Sequence, residues 1–396
     1  MKERSMKPLA FCYDATSLGR RVTGLERYTE ELLKAFAPKL VANGGHLTVL
    51  FSSEGVKERL SPLLPTSGVL ALTPPHSLSS RLLRDHVWIP REILRWTPDV
   101  AFFPAFPPSP RALWPRVKTR FWRVIHDAVS WNFSRTISWK NRFYFLPLEK
   151  IAINRYNLII TVSEFSRREL VSVFPEKAER IISCGNAVVS SQIRISPQEG
   201  LRLRKKWDLP ERYLLFVGTL EPRKNIPFLI DLMGDLRGRC PGVGLVIAGR
   251  EGWGAVEVHY SLKKAGPNSG VVLTGSVSEE ELQALYSGAS VTVFPSLYEG
   301  FGYPVLESMQ WGVPVVANRI PVMEEVVGEG GLLVPVSDRV GWIEAVARLL
   351  ENPEERRRII AAGKNNLERF LWDSVADRLL EQITMLRIPD ALPPSS

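Results

Sequence analysis

Short apolar runs separated by longer amphipathic stretches recur along the whole chain, the alternation expected of parallel α/β architecture. The runs at residues 9–14, 47–51, 99–103, 122–127 and 158–162 are rich in β-branched and aromatic residues and read as strands of a first sheet. Residues 26–36 show helical spacing behind a glycine-containing loop, and Ser163-Glu164-Phe165-Ser166 reads as a helix start directly after a strand. The proline-rich stretch 104–115 is predicted to be loop throughout. After the stretch Ile181 to Asn186 the pattern loosens through Gly200, where a linker fits, and then it restarts. Runs at 213–218, 244–249, 271–275, 290–294 and 313–317 predict a five-strand second set. Helices are expected at 226–233, from Ser278, at 304–311 and from Val340, and residues 372–386 have amphipathic spacing. The expectation is an α/β chain of two Rossmann-like, doubly wound domains, residues 1–190 and 200–371. A ligand cleft would lie between them, at the carboxyl ends of the strands. Residues 391–396 read as a frayed tail.

Composition agrees with this picture. A chain of 396 residues, 45% hydrophobic and 23% charged, is ordinary for two folded domains. No uninterrupted apolar stretch approaches the roughly 18–20 residues of a membrane span. The charged start, Met1 to Lys7, runs into a short strand and predicts no signal peptide. Three widely spaced cysteines, Cys12, Cys184 and Cys240, offer neither a metal cluster nor a disulfide framework and point to the reducing cytoplasm.

Charge adds one feature. The net +9 is uneven: residues 1–200 hold 29 Lys and Arg against 17 Asp and Glu, residues 201–396 hold 22 against 25. Much of the excess falls between Arg81 and Arg123, interleaved with Trp88, Trp96, Trp114 and Trp122. Such a tract suits an anionic membrane at its cytoplasmic face or a lipid-diphosphate acceptor, and equally a core half-helix with a solvated basic face. It would also suit RNA stacking. No nucleic-acid motif accompanies it, so nucleic acid ranks last among partners.

The candidate chemistry lies in the second half. Glu299 and Glu307 bracket a glycine-bearing turn, Gly300-Phe301-Gly302, between a buried strand and a helix start. Free backbone N–H groups and the helix dipole make such a turn an anion site, while flanking carboxylates suit sugar hydroxyls. Arg223-Lys224 stands at another strand end, next to a helix start, where two cations can neutralise a diphosphate leaving group. There is no Asp-x-Asp anywhere, the carboxylate arrangement that usually holds a divalent metal on a diphosphate. No metal site and no cofactor are expected.

These residues carry a resemblance. Glu299 to Glu307 resembles the E-x-G-[FY]-x-x-x-x-E signature of the family 4 nucleotide-sugar glycosyltransferases, and Gly218 to Asn225 resembles their G-x-x-x-x-[RK]-K-[GN] donor loop. The resemblance covers most of the chain and is strongest from Tyr213 to Val336. It implies a GT-B fold, a retaining mechanism, and a helix at 372–388 returning to the first domain. By the same resemblance Glu299 lies at the donor hexose, Glu307 accepts from the ribose hydroxyls, and Gly218, Thr219, Gly300, Phe301 and Gly302 form the donor pocket. Ile125-His126-Asp127 resembles the family's [TV]-x-H-D segment and places His126 facing the donor sugar, with Asp127 orienting it or the nearby backbone. The loop 19–28 resembles the glycine-rich first loop, which brings Gly24 and Thr23 towards the diphosphate or the acceptor. Arg20, Arg21 and Arg27 fit either an anionic acceptor or a solvated helix start. Relatives often carry a second glycine near Glu26, which this chain lacks. The stretches 249–254 and 272–277 are similar to the family's turn and base-lining segments. The implied activity is transfer of a hexose, mannose from GDP-mannose, to a glycan or lipid-linked oligosaccharide. Open alternatives are a UDP-hexose donor, a GT-B epimerase, an inert sugar-nucleotide scaffold and a membrane-associated interaction protein.

Overall fold

The computed structural model describes residues 8–19, 24–113, 118–132, 146–188 and 196–386. Arg20, Arg21, Thr23, Trp114, Arg116 and the tail 391–396 lie outside the described residues. The chain divides into two compact units, Met1–Ala187 with Leu371–Ser396, and Val188–Phe370. Each is built on one parallel sheet.

The first unit holds seven strands: β1 (Ala10–Ala15), β2 (His46–Phe51), β3 (Val69–Leu72), β4 (Val100–Phe103), β5 (Arg120–Ile125), β6 (Leu158–Thr161) and β7 (Ile181–Ser183). Their order is β3-β2-β1-β4-β5-β6-β7, so the winding reverses between β1 and β4. Alternation along β1 sorts its side chains. Phe11 packs on Phe36 of the helix α1 (Gly24–Ala42), and Tyr13 donates to the Thr29 carbonyl of the same helix. Cys12 joins the opposite core with Trp88, Ile89 and Ile93. The edge strand β3 was not expected, because four half-exposed residues make too short a run to register. α1 outlasts its predicted end at residue 36 and continues through Pro38, since Ala37 and Leu40 are buried and their packing outweighs the lost hydrogen bond. The stretch 104–115 is not all loop: Pro110–Leu113 forms a helical turn that buries Ala112 and Leu113, with Pro110 at the first helical position, where it fits.

The chain's last described helix, α4 (Trp372–Leu386), belongs to this unit. It buries Val375, Ala376, Leu379 and Ile383 and packs on α1. Lys39 of α1 reaches Asp377 at 2.7 Å, and Arg378 donates to the Cys184 carbonyl at 2.9 Å.

The basic tract 81–123 is not one surface. Trp88 and Trp122 are buried in the core, and Arg123 sits inside the sheet. Its guanidinium pairs with Glu149 at 3.3 Å, and Glu149 also accepts from Tyr156 at 2.9 Å. A charge on a central strand is tolerated only when paired in this way. Among the described residues of the tract, Arg81, Arg91, Arg95, Arg111 and Lys118 are exposed.

The second unit holds six strands: β8 (Arg212–Val217), β9 (Val243–Ala248), β10 (Val271–Gly275), β11 (Val291–Phe294), β12 (Val315–Asn318) and β13 (Gly331–Val334). The order β10-β9-β8-β11-β12-β13 reverses between β8 and β11. β13 was missed because it opens on glycine at the end of a Gly-Glu-Gly-Gly run. Helix α2 (Ile226–Arg239) runs past its predicted end at 233, carried over Gly234 by buried Leu236. The helix expected from Ser278 starts there, with Ser278 and Glu281 closing a capping box. Among the described residues no helix is long and apolar enough to cross a membrane.

Candidate functional site

Ligands of doubly wound sheets bind outside the carboxyl ends of the strands where the winding reverses. In the second unit that point lies between β8 and β11, and the loops leaving those two strands are the ones that carry Arg223-Lys224 and Glu299. The sequence separates them by 75 residues, and the topology closes the gap. Lys224 Nζ lies 2.5 Å from Glu299 Oε1 and Arg223 Nη1 lies 2.7 Å from Glu299 Oε2. Arg223 Nε donates to Glu221 at 2.8 Å, its Nη1 also meets the Tyr298 carbonyl at 3.1 Å, and the Leu297 amide donates back to the Arg223 carbonyl at 2.8 Å. The two loops are thereby laced together through side chains and backbone.

Lys224 and Glu299 are both buried. Burial alone would raise the Glu299 carboxyl, but Arg223 and then Lys224 outweigh it and hold the group at about 2. Burial lowers the Lys224 ammonium, Glu299 opposes that, and Arg223 adds to it. Lys224 also stands 5.1 Å above the Phe294 ring. The result is a cluster of one buried and one half-buried cation held on acidic partners, Glu299 and Glu221.

Gly302 starts the helix α3 (Tyr303–Gln310) at φ 110, a left-handed conformation that glycine adopts without strain. A Cβ there would stand 2.6 Å from Met323 Cε. Glu307 lies one turn into α3 and accepts from Tyr286 at 2.8 Å. Phe301 turns inward, edge-on to Tyr303 and Phe370 with ring centres 5.6 and 5.7 Å away, so its side chain is a packing element. Gly218 donates to the Ala248 carbonyl and sits against Gly249, where a Cβ would come within 2.0 Å of the Gly218 oxygen. Thr219 accepts from Arg250 Nε at 3.3 Å. The loop 249–254 therefore supports the donor-type loop from below.

In the first unit, His126 follows β5. Its Nε2 lies 2.7 Å from the Pro104 carbonyl, which can only accept, so the ring proton resides on Nε2 and Nδ1 keeps its lone pair. Burial lowers His126 to about 4, against the Pro104 contact and with help from Arg123, so the ring is neutral at pH 7. Tyr28 meets it edge-on at 4.9 Å, and Trp372 of α4 meets Tyr28 at 5.4 Å. Asp127 accepts from the Val129 amide at 3.1 Å, so it serves the nearby backbone. Gly24 is the first residue of α1.

Three contributors escaped the sequence reading. Glu221 and Tyr286 hold Arg223 and Glu307, and neither occupies a motif position. Asp14 is the last but one residue of β1, at the first unit's own reversal point, is buried, and is raised by that burial to about 6 despite hydrogen bonds from Thr16. An acid closing an apolar strand was the signal for it.

The family model described as Glycosyltransferase Family 4 matches residues 22–191, and that described as Glycosyl transferases group 1 matches residues 198–366. The chain belongs to the family 4 glycosyltransferases. The O-antigen chain mannosyltransferase B of Escherichia coli is 34% identical over 241 residues, 59% of this chain and 62% of that protein. The O-antigen chain mannosyltransferase RfbU of Salmonella typhimurium is 28% identical over 239 residues, 60% of this chain and 62% of its own length. The match thus spans a little under two thirds of these relatives. Among solved structures, HepE of Anabaena in complex with UDP and glucose superposes with a TM-score of 0.71 at 17% identity, covering 95% of this chain and 99% of that one. Sucrose-phosphate synthase of Thermosynechococcus elongatus does so at 0.71 and 19%, covering 96% and 99%. These likenesses show the fold: two Rossmann-like sheets of the GT-B class.

Proposed function

We propose that this family 4 glycosyltransferase moves mannose from GDP-mannose to a glycan or lipid-linked oligosaccharide, with retention of anomeric configuration, on the cytoplasmic side of polysaccharide synthesis. The observation that carries the reading is the convergence of Arg223, Lys224 and Glu299 at the reversal point of the second sheet. The choice of mannose is supported by relatives named as O-antigen mannosyltransferases. The cytoplasmic side is supported by three free cysteines.

Departure of the nucleoside diphosphate builds negative charge on the β-phosphate oxygen. Lys224 is already desolvated, and both it and the half-buried Arg223 are fixed on Glu299, so they stabilise that charge with little reorganisation. Arg223 offers a planar fork and Lys224 a point charge. Glu299 positions the pair and orients the hexose, whose ring carbon gains positive character as the bond lengthens. The acceptor hydroxyl approaches from the same face, and the departing phosphate takes its proton. Glu307, steadied by Tyr286, accepts from the ribose hydroxyls. His126, with Nε2–H committed to Pro104, meets the sugar as an acceptor through Nδ1. Charge neutralisation rests on the two side chains, and no cofactor is invoked.

The test is a melting panel with GDP-mannose, UDP-glucose and ADP-glucose, followed by product analysis. A bound donor raises the melting temperature by mass action. GDP-mannose is expected to give the largest, concentration-dependent rise, reduced in Glu307→Ala. A larger rise with UDP-glucose would overturn the donor assignment, and a product of inverted configuration would overturn retention.

A further inference from the structure

We infer that the outer face of the helix Ala255–Ala265 in the second unit is a separate glycan-binding surface, on which sugar rings stack against Trp253 and Tyr260. The ligand class rests on the transferase reading, since a growing glycan is the polymer such an enzyme meets. Val258 and Ser261 turn the inner side of this helix into the unit, with Ala255 and Leu262 beside them. The opposite side is open: Trp253 is 43% exposed, Val256 78% and Tyr260 71%. A spacing of three residues and then four sets them in one stripe. From Trp253 to Tyr260 the stripe extends roughly 10 Å, at the ordinary helical rise. Scattered apolar residues in water mean little, but a contiguous stripe marks a ligand or partner surface.

The stripe begins on the rim that carries the candidate site. It follows β9, which lies parallel and next to β8 in the sheet. The loop bearing Trp253 is locked to the loop of Arg223 and Lys224. Glu251 bridges Leu220, the Leu220 amide donates to the Arg250 carbonyl at 3.0 Å, and the Gly254 amide donates to the Leu220 carbonyl at 2.9 Å. Gly252 and Gly254, on either side of Trp253, permit that approach. A Cβ at Gly252 would stand 2.7 Å from the Leu220 oxygen, and one at Gly254 would stand 2.7 Å from the Pro222 nitrogen. Trp253 is thereby held in fixed register with the donor-type loop.

Charge and area choose the occupant. Exposed Glu251 and Glu257 offset exposed Lys263 and Lys264, and Arg250 is committed to Thr219. An anionic lipid surface or a nucleic acid would need an excess of cations. Three apolar side chains also fall far short of the roughly 20–30 residues a side in a stable protein interface. A sugar ring needs less. Its C–H face covers one aromatic ring, and its hydroxyls find polar groups in Glu257 and in Glu251 and His259, which meet at 2.9 Å. A glycan whose end occupies the candidate site and whose body rests on the stripe is held at two points. The second contact raises the effective concentration at the first.

Affinity electrophoresis of the full chain through gels with and without soluble α-mannan tests this. Retardation needs neither donor nor turnover, while the melting panel with nucleotide-sugars reports on the transferase reading alone, so the two failures are distinguishable. The expected result is retardation by α-mannan that persists in 0.5 M salt, because the ligand is neutral. Apparent affinity should fall at least five-fold in Tyr260→Ala and in Trp253→Ala, and stay within two-fold of wild type in Tyr260→Phe, which keeps the ring. Tyr260→Ala should keep the wild-type melting temperature, since that side chain is exposed. No retardation, wild-type retardation of Tyr260→Ala, or a five-fold loss in Tyr260→Phe would overturn the proposal. So would self-association in sedimentation that Tyr260→Ala abolishes, which would make the stripe a contact between copies of the chain.

Discussion

Glu299 is the counter-ion for buried Lys224 and half-buried Arg223, and its removal is expected to be more damaging than the loss of either one. Glu299→Gln leaves Lys224 desolvated beside Arg223, with Glu221 still held on Arg223. Breaking a buried pair in this way costs about 3–5 kcal/mol, to be read from urea denaturation at pH 7. Because the folded pKa is depressed to about 2, this contribution is complete above the unfolded value near 4.5 and is lost as pH falls from there towards 2. The stability gap between wild type and variant should close over that window. Lys224→Ala should instead lower turnover by ~10²–10³; an unchanged turnover number would remove Lys224 from leaving-group stabilisation. Asp14 has the opposite sign. The folded carboxyl holds its proton up to about 6 while the unfolded one loses it near 3.8, so stability drains as pH rises through that interval. Asn keeps an acceptor for the Thr16 amide, so Asp14→Asn should stabilise by on the order of 2 kcal/mol at pH 8, with the gain vanishing below pH 4.

At the level of elements, the loops after β8, β9 and β11 form one assembly, and glycine decides how closely they meet. Gly249→Ala would drive a Cβ into the Gly218 carbonyl, costing about 1–3 kcal/mol by overpacking, and should abolish the melting shift with GDP-mannose. Gly234→Ala is the control. It lies inside α2 with open space around it and should gain about 0.5–1 kcal/mol. Most of this architecture was legible in the sequence, because apolar runs such as 213–218 and 290–294 fill both faces of a buried parallel strand. β3 and β13 were invisible for the converse reason: each is short, half-exposed and at or near a sheet edge. The donor loop and the paired glutamates were legible too, since their spacing is local. Their mutual contact was not, because it depends on strand order, and no local pattern encodes that β8 lies beside β11. The same limit hid Arg123, whose charge looked superficial until its strand proved central.

For the whole molecule, α4 completes the first unit after the second has intervened in the chain. Ending the chain at Phe370 strips α1 of the partner that buries Val375, Leu379 and Ile383. Each such side chain contributes about 1.5–3 kcal/mol when fully buried. The truncated protein should show the first unit's calorimetric transition lowered or missing while the second unit's transition stays in place. A single unchanged transition would mean that α4 adds nothing to the first unit. Trp372, Tyr28 and His126 touch in series, so the same truncation also loosens the ring that is proposed to meet the sugar.

That discontinuity sets an order of events at the ribosome. Residues 188–370 emerge, and can close their own sheet, before the helix that finishes the earlier unit has been synthesised. At ~5–20 residues per second the delay is roughly ten to forty seconds. For that interval the nascent amino-terminal sheet waits without the helix that covers one flank of α1.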